Sequence, residues 1–437
     1  MYIFLNILIF ILIFSIVFIV TLFCMIKKEL VIENLYLIIP SICIGLWALH
    51  FLIFQYQIYN NFIMVQYDFK IIYRCGRQIW INPADLYKTP FYYLPIWAIA
   101  LAFTVCLFPF YIAAFIFYGF TYFLAVLSIR EYNKILILMD VRQKIHRFMF
   151  LMIISNGFTV YRLFAFGQFK YIILVIFLLV IRRELQYRNN ELEKDFKYKL
   201  INYSLLAFAI AIFPFFILLL LVYIFQEIPF NELFKKENLK EYAIVISVFA
   251  LENFLFFIYP TLIFEFFGLY QKFNKREWVH RQLPNFYLAW INLDDYSLFF
   301  NISSILMVCT TCVLIYLNKT LKIEEQFGYF SLVVIFFSMY ARRLFLILFP
   351  FVFLFFIPFF NQKEKRVDFL KKNKFFLIGL LSGFAIYFMD PHHQLIELFF
   401  PVLEGSKLLE YKWIVFTSIF GVDIIILHMK KYDLLHK

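Results

Sequence analysis

The sequence predicts an all-α polytopic membrane protein, and three observations carry that prediction. Hydrophobic residues make up 64% of the 437 positions and the mean hydropathy is +0.81, more apolar surface than a water-soluble core uses. Apolar runs long enough to span a bilayer recur from one end of the chain to the other. The basic residues behind a net charge of +12 fall in short clusters between those runs, the pattern that orients membrane helices rather than the single patch a polyanion needs. No nucleic-acid partner is expected. No polar stretch is long enough to bury a core of its own, so no soluble domain is expected either.

Taken in order, the runs give about 13 transmembrane helices, with the N-terminus outside and the C-terminus in the cytoplasm. Tyr2 to Met25 lacks a basic leader and a small-residue cleavage site, so it reads as a retained helix ahead of Lys27 and Lys28. Leu35 to Gln57 then returns outward and delivers residues 58–95 to the external face. The stretch from Phe91 to Ile129 is too long for one simple span and is broken at Pro109, which predicts a bent helix or a half-inserted piece followed by one span. Arg130 to Arg147 is basic and belongs inside. Phe148 to Tyr161 rises and Tyr171 to Ile181 descends to Arg182, Arg183 and Arg188. Two short segments meet at Pro214, and one helix climbs from Lys236 toward the polar stretch Gln271 to Asp295.

The remaining runs continue the alternation. Ile302 to Leu317 descends to Lys319 and Lys322, Ser331 to Met339 climbs to "YARR", and Leu344 to Phe360 descends to the most basic loop of the chain. Phe375 to Met389 climbs to "DPHH", and Trp413 to Leu427 ends at Lys430 and Lys431. Several of these runs fall short of the twenty residues a straight span needs, which predicts broken helices around a cavity. On this topology "YDFKIIYR", "FGQF", "DDYSLFFNISS", "YARR" and "DPHH" all reach the external face.

The external loop 58–95 carries the candidate chemistry. Asp68 stands between Tyr67 and Phe69 at the end of a helix. A carboxylate there serves as a general base if it reaches a substrate hydroxyl, or as a helix-end cap for the stretch that follows; the residues alone leave both open. In "FKIIYRCGRQIW" the residues Ile71, Ile72, Cys75 and Ile79 recur at helical spacing, with Lys70, Arg74 and Arg77 toward polar surroundings, which predicts a helix lying in the membrane interface. "NPADLY" predicts a turn, with Asp85 as a turn residue.

Arg342 and Arg343 lie at an outer helix end against the charge trend, where they either bind a phosphate or snorkel to headgroups. His392 and His393 beside Asp390 offer hydrogen-bond donors. They lack the further ligands a metal site needs, and no metal or other cofactor is expected. Glu252 and Glu265 lie within an apolar run and either face a cavity or end the helix. Cys309 and Cys312 form a CxxC inside an apolar helix and read as small packing residues, like the other four of the six cysteines.

The motifs of this loop resemble the first external loop of glycosyltransferase family 87, the polyprenyl-phosphate-mannose-dependent α-mannosyltransferases of the GT-C superfamily. The matching pieces are Asp68-Phe69, Tyr73, Asp85-Leu86-Tyr87 and Tyr93-Leu94-Pro95. "FGQFK", with Gly167 and Gln168, is similar to a later family motif, as is "FFNISS", with Asn301 and Ser303; "SMYARRLFLILFP", with Tyr340, occupies the place of a third. The chain departs from the family's pattern at Ile96 and at Lys170.

The resemblance implies a GT-C-type domain over residues 31–437 behind an extra transmembrane helix in residues 1–30. It implies a glycosyltransferase of the cell membrane whose active site faces outside. The sugar, mannose by resemblance, would pass from a polyprenyl-phosphate donor to a lipid-linked or glycan acceptor, with inversion and without metal. Asp68 would be the base. Arg342, Arg343, His392, His393 and Gln168 would hold the donor phosphate, and Tyr67, Tyr73, Arg77, Tyr87, Tyr93, Asn301, Ser303 and Tyr340 would line the substrates. Two other classes fit a multispan chain of this kind: a transporter or flippase of lipid-linked or polar substrates, and a polysaccharide polymerase or ligase.

The charge alternation makes a direct prediction. A cysteine introduced next to Asp68 should react with an impermeant thiol reagent added to intact cells, and one next to Lys371 should react only after permeabilisation. Labelling of the second site in intact cells would reverse the orientation.

Overall fold

A computed structural model describes residues 37–46, 48–49, 67–89, 91, 93–155, 170–213, 216–225, 235–274 and 321–337, with a few isolated positions besides. Among the described residues every regular element is helical and there is no strand. The chain divides into two units, one formed by residues 1–156 and 160–276 and the other by residues 157–159 and 277–437.

The first unit is organised on one long helix. Numbering in chain order, α1 is Leu37–Leu46, α2 Tyr67–Ile81, α3 Pro95–Ala102, α4 Phe110–Leu138, α5 Lys144–Ser155 and α6 Lys170–Arg188. They are followed by α7 Phe196–Ile212, α8 Ile217–Phe225, α9 Lys236–Glu252, α10 Phe254–Ile258 and α11 Thr261–Asn274. Helix α4 has 29 residues and so runs for about 44 Å at 1.5 Å per residue. It is the one helix among the described residues that is long and apolar enough to cross a membrane. Its faces divide cleanly. Ala113, Phe117, Thr121, Leu124, Ala125, Ser128 and Tyr132 are buried, while Ile112, Phe115, Ile116, Phe120 and Phe123 form an exposed apolar stripe at helical spacing.

Pro109 caps the start of α4. Before it come α3, only eight residues long, and a single 3₁₀ turn, Val105–Leu107. The region from Phe91 to Ile129 is therefore a short piece followed by one long helix, the second of the two arrangements that Pro109 allows. The run from Lys236 to Asn274 differs from expectation. It is three helices, broken at Asn253 and again at Tyr259–Pro260, rather than one. Of the run Leu35 to Gln57, α1 is the described part. Tyr118 Oη donates to Ala48 O at 2.6 Å and Tyr122 Oη to Ser41 O at 3.3 Å, seating α1 against α4.

The ends of α4 and α6 are finished alike. Asp140 and Asn190 both take φ of 60°, a region that Asp and Asn tolerate better than most residues. Val141 N donates to Leu136 O and Asp140 N to Ile137 O; Glu191 N donates to Gln186 O and Asn190 N to Tyr187 O. Both are Schellman closures, which satisfy carbonyls that a helix end leaves open. Helix α7 starts on Asp195, whose carboxylate accepts from Tyr198 N at 2.7 Å.

At this same end of α4 and α6, charged and polar side chains form a partly buried network. Glu131, with its side chain 4% exposed, accepts from Lys134 Nζ at 2.7 Å and from Arg182 Nη1. Next to Arg182, Arg183 Nε donates to Asn202 Oδ1 at 2.8 Å. Asn202 Nδ2 donates to Tyr223 Oη at 2.8 Å, and Tyr223 Oη donates to Glu184. The set ties α4, α6, α7 and α8 together. In the second unit, helix α12, Ile323–Phe337, begins with Glu325 reaching back to accept from Lys322 N at 3.0 Å, one half of a capping box.

Breaking the Glu131–Arg182 pair should be costly. Glu131→Gln leaves the half-buried Arg182, 22% exposed, without its counter-charge, and the expected loss is about 1–3 kcal/mol of unfolding free energy, discounted for the partial exposure of the arginine. Asp85→Asn removes an ion pair to Lys88 whose lysine side chain is 66% exposed, for which less than about 1 kcal/mol is expected. Thermal unfolding of the two variants in detergent measures the contrast.

Candidate functional site

The segment from Tyr67 to Pro95 is built around α2. The helix starts at Tyr67, so Asp68 lies in its first turn rather than ahead of it, where the helix dipole favours a negative group. Asp68 is half-buried. Beside it Phe69 is fully buried, stacked on Phe117 of α4 with ring centroids 4.6 Å apart and a further 6.0 Å from Phe110. Phe69, Ile72 and Cys75 are buried and Arg74 and Arg77 exposed, which is the amphipathic helix the spacing predicts. One side of α2 thus lies across the Phe110 end of α4, and its acidic first turn is anchored there by aromatic packing.

The other end of α2 caps a break in the chain. Helix α3 stops at Ala102 and the 3₁₀ turn follows, leaving carbonyls that no helix satisfies. Trp80 Nε1 donates to Ala102 O at 3.1 Å, Arg77 Nη1 to Cys106 O at 3.4 Å and Tyr73 Oη to Phe108 O at 2.8 Å. In return Cys106 Sγ donates to Tyr73 O at 3.5 Å. The crossing is close because residue 76 is glycine. A Cβ there would come within 2.5 Å of Cys106 Sγ and 3.0 Å of Leu101 Cβ.

After α2, Asn82 accepts from Ala84 N through its side chain and starts the 3₁₀ helix Pro83–Lys88, the turn expected for "NPADLY". Asp85 lies in it, paired with Lys88 at 2.7 Å. The turn is clamped from both sides. Thr89 Oγ1 is 2.8 Å from Cys75 Sγ and donates to Leu86 O, and burial pushes the Cys75 thiol up to about 12 despite that hydrogen bond. Tyr87 is 2% exposed; its ring lies 5.3 Å from that of Phe266 on α11 and its hydroxyl donates to Tyr93 O. Leu94 N then donates to Ala211 O at the end of α7. Leu86, Tyr87, Phe91, Leu94, Ala98, Leu255, Leu262 and Phe266 form one buried cluster.

With this geometry in place, the chain can be set against known proteins. No family model, curated protein or solved structure matches it. The functional reading therefore rests on the residues themselves.

The structure brings together part of the expected set. Asp68, Tyr73 and Arg77 share α2, with Tyr67 at its first position, and Tyr87 and Tyr93 brace the loop beyond it. Tyr73 and Arg77 spend donors on the carbonyls of the 102–108 break, and Tyr87 is committed to protein contacts by ring and hydroxyl alike. Their demonstrated work is to position the loop. Gln168, Asn301, Ser303, Tyr340, Arg342, Arg343, His392 and His393 lie outside the described residues, as does Gly167. Lys170 is buried at the start of α6.

One feature was only half legible in the sequence. Glu252 ends α9, as one of its two readings has it, and it is buried at 3% exposure; Asn253 beside it is equally buried. Both carboxylate oxygens of Glu252 and the Oδ1 of Asn253 are without a hydrogen-bond partner. Glu252 stood out as an acid in an apolar run. The break did not, because neither glycine nor proline marks residue 253.

The close crossing at Gly76 is testable. Gly76→Ala should destabilise the protein by about 1–3 kcal/mol through overpacking. Adding Cys106→Ala, which removes the nearest atom, should restore part of that loss. Strict additivity of the two changes in thermal unfolding would mean that the helices do not meet there.

Proposed function

We propose that the protein is a membrane glycosyltransferase that moves a sugar, mannose by resemblance, from a polyprenyl-phosphate donor to a lipid-linked or glycan acceptor at the external face. The observation that carries this reading is Asp68. It is a half-buried carboxylate in the first turn of an amphipathic helix fixed across the end of a membrane-length helix. A general base that works on a lipid-borne hydroxyl needs that combination: access to the membrane boundary, and a rigid mount.

In the proposed reaction Asp68 takes the proton of the acceptor hydroxyl as its oxygen attacks the anomeric carbon. The bond from that carbon to the phosphate oxygen breaks, and the polyprenyl phosphate leaves with the electron pair. Attack opposite the leaving group inverts the anomeric centre. Arg342 and Arg343, with His392, His393 and Gln168, are the groups proposed to stabilise charge on the phosphate. Exposed Arg74 and Arg77 lie on the same helix as the base. The exposed apolar stripe of α4 supports the membrane setting of the account.

A carrier of lipid-linked or polar substrates is the competing reading. The observation that favours it is the twice-broken run α9–α11, since discontinuous helices with a buried acid are what transporters use to hold a substrate.

The test is Asp68→Asn, which keeps size and much of the hydrogen bonding but cannot accept a proton. Transfer should fall by about 10² to 10⁴-fold, with expression and thermal unfolding near those of the wild type. Asp85→Asn should retain most activity. A dead Asp85→Asn enzyme beside an active Asp68→Asn enzyme would put the base on the wrong carboxylate.

A further inference from the structure

The acid at the end of α9 stands where stability alone would not put one. Glu252 is the last residue of its helix, at the negative end of the helix dipole, where a carboxylate is disfavoured. It is 3% exposed and neither of its oxygens has a hydrogen-bond partner. Asn253, also 3% exposed, uses its side-chain NH₂ on Phe249 O at 2.8 Å, while its backbone N–H reaches Phe249 O and Ala250 O. Those Asn253 donors are turned back on the helix backbone, and three acceptor oxygens on adjacent residues have no hydrogen-bond partner. Buried acceptors without donors are rare because the loss of water goes uncompensated. Three of them together at one helix break call for an explanation.

The surroundings narrow what that is. Phe249 and Phe256, on either side of the break, pack against the buried cluster that holds Tyr87 and Leu94, and Trp97 packs against the same cluster. The break thus adjoins the loop that carries Asp68, in an aromatic setting. Three side-chain oxygens are fewer than a hard metal ion takes, and no group of three His, Cys, Asp or Glu suited to a metal occurs among the described residues. Hydroxyl groups, each a single donor, match acceptors of this kind beside aromatic rings.

We propose that the Glu252–Asn253 break is a second binding position, one that takes the hydroxyl groups of a sugar or similar polyol on its three acceptor oxygens. The choice of a sugar rests on the glycosyltransferase reading. The existence of the position rests on the break alone.

The experiment uses full-length protein in detergent and follows thermal unfolding of wild type, Glu252→Leu and Glu252→Gln. The probes are methyl α-mannopyranoside, methyl β-glucopyranoside and glycerol, with sodium and potassium chloride titrated separately. Without probe, Glu252→Leu should unfold higher than wild type by about 2–4 °C, because an apolar side chain of similar size removes the unsatisfied group. A methyl glycoside should raise the wild-type midpoint, and its apparent affinity for Glu252→Leu should be at least about tenfold weaker. Glu252→Gln, which keeps one acceptor, should fall between. A lower midpoint for probe-free Glu252→Leu would make the acid structural and end the proposal. So would glycosides that leave the wild type unmoved or shift all three proteins equally, or a Glu252-dependent shift produced by the salts alone. The readout needs no turnover. Glycoside binding that depends on Glu252 in a protein without transferase activity would keep this position and sink the enzymatic reading.

Discussion

Each helix end exposes backbone donors or acceptors that must find partners, and the arrangement of the first unit follows from how that demand is met at the 102–108 break, at the ends of α4 and α6, and at Asn253. At residues 102–108 the demand is met from outside the helix. Trp80, Arg77 and Tyr73 of α2 give their donors to Ala102, Cys106 and Phe108, and Gly76 lets the two segments come close enough for this to happen. The position of α2 is thereby fixed, and Asp68 rides on its first turn. At the ends of α4 and α6 the demand is met locally by paired Schellman closures on Asp140 and Asn190. At Asn253 the carbonyls are satisfied and the side-chain oxygens are not. The first builds a mount, the second finishes a scaffold, and the third leaves side-chain acceptors without donors.

The two ends of α4 carry different kinds of interaction. At the Phe110 end, α2 is held by stacked rings and by hydrogen bonds to backbone carbonyls from Tyr73, Arg77 and Trp80, with no ion pair among these contacts. At the Leu138 end, the buried Glu131 pairs with the more exposed Lys134 and Arg182, and the set is continued by Arg183, Asn202, Tyr223 and Glu184. Ion pairs of this sort contribute little net stability but fix register, because a slip of one turn would leave a charge buried alone. The acid proposed to do chemistry is thus at the opposite end of the long helix from the acids that hold the helices together.

Legibility in the sequence followed the range of the interaction. The amphipathic α2 was readable because its period is local, and Asn82-Pro83 and Pro109 announced their turns. The pairing of Glu131 with Arg182 was not readable, since the partners lie 51 residues apart and either charge alone fits a cytoplasmic helix end. The roles of Tyr73 and Tyr87 were hidden for a related reason. A tyrosine near a membrane surface suits a sugar face or a carbonyl equally well, and only the fold shows that Phe108 O and Tyr93 O receive these hydroxyls. Asn253 ends a helix with no residue type that forecasts it, its amide donating back to Phe249 O. The expected all-helical architecture holds among the described residues, and the ordering of the motifs along the chain supplies the chemistry proposed for it.

The central claim is covalent transfer from a lipid-phosphate sugar. Its most direct test is to incubate membranes holding the protein with polyprenyl-phosphate mannose labelled in the sugar, together with native lipids, and to separate the labelled products. The account predicts that label leaves the donor and appears in a new lipid- or glycan-linked product of inverted anomeric configuration, with free polyprenyl phosphate released in equal amount. Label that stays on the donor, or that crosses the bilayer still joined to it, would contradict the account.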